Sequence, residues 1–287
     1  MSLRYTHWTD TRRTPKTDAR LGACLAFVAG AANAGGFLAV GQYTSHMSGM
    51  VSGIADHLSA RNLELALACV VAVCSFLAGA ITTSILVNYA RRKRLHSQYS
   101  IPMLLEAALL LLFGLIGAQI ARQVTFLQPP TVVLLCYMMG LQNALITKIS
   151  NAVIRTTHVT GMVTDIGIEL GKLFYINSPR ATHRGQGRVV ANRAKLILHS
   201  KLLLAFLVGA MTGAFGFQSW GYSMTLPLSF FLLVLALPPL WNDLRVRWRV
   251  RRYHPAEELH EHAEPEHTGQ VAPDAAPPPT TARAPQD

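Results

Sequence analysis

Ser45-His46-Met47-Ser48-Gly49-Met50-Val51-Ser52 returns later in the chain as Thr157-His158-Val159-Thr160-Gly161-Met162-Val163-Thr164. The segments ahead of the two copies also match, Gly30-Ala31-Ala32-Asn33-Ala34 before the first and Gly140-Leu141-Gln142-Asn143-Ala144 before the second. The likeness therefore covers a unit of structure, and the chain reads as an internal duplication.

Asp, Glu, Lys and Arg are absent from 21–55, 65–90, 107–121, 123–147 and 202–242. A helix crossing a bilayer needs about 20 apolar residues, so spans are predicted near 21–41, 64–90, 101–121, 131–148, 201–219 and 223–242. A composition of 51% hydrophobic against 14% charged residues excludes an ordinary soluble domain. The fold class expected is all-α: a polytopic membrane bundle of about six spans, built as two three-helix repeats at 21–121 and 122–242. A basic leader at 1–20 and a tail at 243–287 flank them. Asn33 interrupts the first span and several more follow it, which argues against a cleaved secretory signal.

The net charge of +11 is distributed by side of the membrane. Five Lys/Arg precede the first span, four stand at Arg91-Arg92-Lys93-Arg94, seven lie from Lys172 to Lys201 and five from Arg245 to Arg252. The alternate connections are nearly bare, with Arg61 after span one and Arg122 after span three. The positive-inside rule then places both termini in the cytoplasm, with six crossings. The basic faces are expected to meet anionic lipid, not nucleic acid. Beyond Pro255 the composition of Pro, Ala, Glu, His and Thr predicts a disordered tail.

Three spans per half reverse the second copy relative to the first. The first motif then sits toward the outside and the second toward the inside, as in transporters built from inverted repeats with a site near the midplane. Both motifs open helical patterns, at 45–60 and 157–174. Met47, Met50, Val51, Ile54 and Leu58 form one apolar stripe, and Met162, Ile166 and Leu170 the other. At 1.5 Å per residue such helices are short for a crossing. They are expected to enter or lie along the membrane without crossing it, one from each face.

Polar groups inside lipid are costly and therefore informative. Ser45 and Thr157 stand where N-caps would, and Ser48 and Thr160 follow in the first turns beside Gly49 and Gly161; hydroxyl capping explains these residue types as well as a ligand does. His46 and His158 hold equivalent places and suit a proton relay or a substrate contact. Asn33, Gln142 and Asn143, near the middle of spans one and four, either touch substrate or bond the halves together. Asp165 and Glu169, four apart on one helical face, are candidates for ion or proton coupling, or else surface carboxylates near Lys172 or Arg155. Glu106 is expected to reach the interface at the start of span three. The four cysteines, Cys24, Cys69, Cys74 and Cys136, form no Cys-x-x-Cys pair, so neither redox chemistry, a metal nor any cofactor is expected.

The Asn-bearing first span, the Ser-His-Met-Ser-Gly element, Gly140-Leu141-Gln142-Asn143-Ala144 and Arg155-Thr156-Thr157-His158-Val159-Thr160-Gly161 resemble the YoaK-like family of bacterial membrane proteins over about residues 21–242. Many relatives carry Asn where Met50 stands. The resemblance implies an inner-membrane protein of about six helices with a domain of unknown function, and no substrate. Three functions compete: a small secondary transporter of a polar solute, a non-transporting scaffold or sensor, and an intramembrane enzyme. The absence of a Gly-x-Ser-x-Gly elbow and of His-Glu-x-x-His argues against the enzyme. A homo-oligomer is compatible with each.

Overall fold

The structure is a computed structural model that describes residues 15–93, 95, 97–120, 128–149, 159–176 and 189–253. The expected tail beyond Pro255, together with Arg155, Thr156, Thr157 and His158, lies outside them. Among the described residues all regular structure is helical: α1 (Pro15–Val40), α2 (Met47–Ser59), α3 (Leu63–Arg92), α4 (Ser100–Ile120), α5 (Gln128–Ile149), α6 (Val159–Phe174), α7 (Arg193–Trp220) and α8 (Thr225–Tyr253). Helix α1 begins within the expected leader, at Pro15, because proline has no N–H to lose in a first turn.

Five stretches are long and apolar enough to cross a membrane, Ala19–Val40, Leu63–Arg92, Ser100–Gln119, Pro129–Ile149 and Arg193–Arg245. The last has 53 residues, about 80 Å as one rod and far more than a bilayer's hydrocarbon thickness. It is broken by the 3-10 turn Gly221–Met224, where Gly221 takes φ +57°, a left-handed conformation that suits glycine. Two crossing helices, α7 and α8, result. Side chains such as Leu67, Leu77, Ile81 and Ile85 on α3, and Leu204, Leu207 and Phe215 on α7, stay exposed, as a lipid-facing surface requires.

Small residues set which helices touch. A Cβ on Gly30 would strike the Phe206 carbonyl oxygen of α7, and one on Gly209 would strike that of Phe27 on α1. The second seam repeats the pattern, with Gly140 of α5 against the Phe76 carbonyl of α3 and Gly79 against that of Tyr137. Phe76 and Phe206, Gly79 and Gly209, and Asn62 and Asn192 all share an offset of 130 residues. The two asparagines play the same part, each capping its helix: Asn62 Oδ1 accepts from Leu65 N at 3.1 Å and Asn192 Oδ1 from Lys195 N at 3.0 Å.

The contacts also give direction. Phe27 meets Gly209 and Ala31 meets Gly213, so α1 and α7 run parallel; Gly79 meets Tyr137 while Thr83 Oγ1 donates to Leu141 O, so α3 and α5 do too. Helices α1 and α5 are antiparallel, because Gly36 faces Leu135 whereas Leu25 O accepts from Gln142 Nε2 at 3.1 Å. Hence α3 runs opposite to α1, and α2 between them makes no net crossing.

The apolar core lies between these helices, with Leu110, Phe113, Leu135, Met138, Leu145 and Leu202 fully buried. Glu106 departs from expectation. It is 2% exposed, inside the bundle, and its Oε2 has no hydrogen-bond partner among the described residues. The turn of helix that separates it from Ser100 is too little to reach the surface once Tyr99, Ser100 and Met103 are themselves buried. At the end of the bundle, Asp243 Oδ2 accepts from Ser97 N (2.8 Å) and Ser97 Oγ (2.6 Å), tying α8 to the start of α4.

Candidate functional site

Asn33 lies about 20 Å along α1 from Arg20 and about 10 Å from its end at Val40, at 1.5 Å per residue, inside an apolar layer ~30 Å thick. Ser45 Oγ donates to Asn33 Oδ1 at 3.0 Å. Residues 41–46 therefore double back from the end of α1 to the level of Asn33, with Gly41 at φ +72° in the turn. Helix α2 starts there and runs antiparallel to α3, since Met50 packs near Ala72 and Gly53 against Cys69. Helix α6 is arranged likewise against α7: Glu169 meets Asn192, whereas Asp165 meets Lys195 and His199.

The beginnings of α2 and α6 share one open cavity of about 750 Å³. Asn33, Tyr43, Ser45 and His46 line it from the first copy, Val159 and Thr160 from the second, and Phe206, Ala210, Ala214 and Gln218 from α7. The described lining holds no Asp, Glu, Lys or Arg. Phe37 and Tyr43 stack over its rim with ring centroids 4.6 Å apart.

The cap expected from Ser45 is not made. The N-cap residue of α2 is His46, without a side-chain cap bond, because Ser45 spends its hydroxyl on Asn33. Met47 N donates to Ser45 O and Met50 N to His46 O; the N–H groups of Ser48 and Gly49 between them have no partner among the described residues. The His46 ring lies over Gly49, where a Cβ would collide with it. That contact explains the glycine three residues after the histidine, a spacing that His158 and Gly161 repeat in sequence.

The remaining candidates lie elsewhere. Ser48 and Gly161 sit in the first turns of α2 and α6. Gln142 is fully buried and bonds α5 to the α1 backbone; Asn143 is 9% exposed, with its Oδ1 unpartnered among the described residues. Asp165 and Glu169 do not line the cavity. Lys195 Nζ donates to Asp165 Oδ1 at 2.9 Å, and this bond holds the Asp165 carboxyl below its ordinary range. Lys172 Nζ at 2.9 Å, with Asn192 N–H at 2.7 Å, does the same for Glu169. The α7 contribution, Phe206 to Gln218, had no local signal. The 130-residue offset between Phe76 and Phe206 is a trace in the sequence that could have linked α7 to α3.

No curated protein and no solved structure matches the chain. A family profile does match, over residues 21–237. The chain belongs to the family described as "Protein of unknown function (DUF1275)".

Proposed function

We propose that the protein is a small secondary transporter for a polar solute, built from two inverted repeats and seated in a bacterial inner membrane with both termini in the cytoplasm. The observation that carries this reading is the convergence of Asn33, Ser45, His46 and Thr160, drawn from both copies of the motif, on one cavity inside the apolar layer. Polar backbone at that depth is tolerated where it lines a cavity, and solutes bind in such places in inverted-repeat carriers. The reciprocal glycine contacts and the matching asparagine caps support a twofold relation between the repeats. The basic ends of the helices suit anionic headgroups on the cytoplasmic side.

Proteoliposomes holding the full chain, given a panel of labelled small metabolites, test the proposal. Uptake above empty vesicles that falls severalfold in Asn33→Leu and His158→Ala supports it. The largely apolar core favours a second reading, a non-transporting scaffold; that reading gains if no solute of any charge moves.

A further inference from the structure

We propose that the cavity between the starts of α2 and α6 is a binding site for a small anion. This deepens the transport reading and rests on it for the cavity's role, although the anion itself is argued from the geometry alone.

The start of α2 comes first. This 13-residue helix has no side-chain cap, and two of its first N–H groups, on Ser48 and Gly49, lack a partner. Its positive dipole end therefore faces the cavity without a side-chain partner. Helix α6, of 16 residues, brings a second N-terminal turn to the same cavity through Val159 and Thr160.

Asn33 supplies an independent observation. It is 9% exposed and lines the cavity. Its oxygen accepts from Ser45 Oγ–H, and in that orientation its NH₂ group has no hydrogen-bond partner among the described residues. Two donor hydrogens are held in a site with no carboxylate in its described lining. An anion would find N–H donors and two dipole ends, the arrangement by which broken helices hold anionic groups within membranes.

The full chain in lipid nanodiscs would be titrated with sodium formate, acetate, nitrate and phosphate over a fixed background of sodium gluconate. Urea and glycerol form a neutral arm and choline a cationic arm, all read by thermal unfolding. A saturable rise in Tm with at least one of the four anions is expected. Asn33→Asp keeps the acceptor for Ser45 and replaces the NH₂ donor by negative charge; it should raise the half-saturating concentration at least about tenfold, as a like charge a few ångströms away in low dielectric requires. Gln218→Glu, at an exposed part of the lining, should act in the same direction without risk to folding. No saturable effect from any of the four anions, or saturation by urea, glycerol or choline instead, overturns the proposal. So does an anion effect that both variants leave unchanged. Flux measured in parallel separates the two readings: anion binding without uptake removes transport alone, and uptake of a neutral solute without anion binding removes the anion alone.

Discussion

At Gly49 one missing Cβ makes room for the His46 imidazole over the first turn of α2. Gly49→Ala should displace the ring without unfolding the bundle. We expect a Tm close to wild type with anion affinity reduced severalfold, measured by the same titration. Asn33, Ser45, His46 and Thr160 were legible as a group because the motif is duplicated and because polar side chains amid apolar sequence need a reason to be there. The role of Ser45 was not legible. Its hydroxyl had two places to go, the α2 N-terminus or Asn33, and only the fold of residues 41–46 brings Asn33 within reach. Gln142 was legible as polar and buried, but whether it faced a ligand or a neighbouring backbone depended on the packing of α5 against α1.

Between elements, glycine seams and charged caps contribute differently. Gly209→Ala would press a methyl into the Phe27 carbonyl, and this kind of overpacking costs about 1–3 kcal/mol. Gly167 has no atom within 4 Å of its would-be Cβ, so Gly167→Ala should be neutral or stabilise by about 0.4–1 kcal/mol. Unfolding in bicelles titrated with denaturing detergent measures both. The α6–α7 seam should respond to acid. Folding lowers the Asp165 and Glu169 carboxyl pKa values, so their stabilisation is complete above the unfolded-state values near 4 and is lost as pH falls through the lower folded-state ones. Tm should hold from pH 8 to about 5 and drop below about 4, and Glu169→Gln should make that drop shallower. The spans were legible from charge-free runs, since length and hydropathy suffice. The α7–α8 break, expected between spans ending near 219 and starting near 223, falls at Gly221–Met224, whereas the pairing of α1 with α7 rests on contacts about 180 residues apart, which no local pattern encodes.

For the whole molecule, the directions of α1, α3, α5 and α7 agree with the alternation of basic and bare connections. A reporter fused after Arg94 should read cytoplasm and one near Gln128 the exterior, scored by an enzyme fusion active on one side only. The two halves of the chain interlock rather than sit side by side, because each tight seam joins one helix from either half.

The same seams impose an order on biosynthesis. When α1 leaves the ribosome its closest partner is still untranslated, so Gly30, Ala31 and the Asn33 amide wait in lipid or in the insertion machinery until α7 emerges. The α3–α5 pair closes much sooner. A nascent chain halted before Arg193 should therefore hold its second seam while its first helix remains open to quality-control proteases.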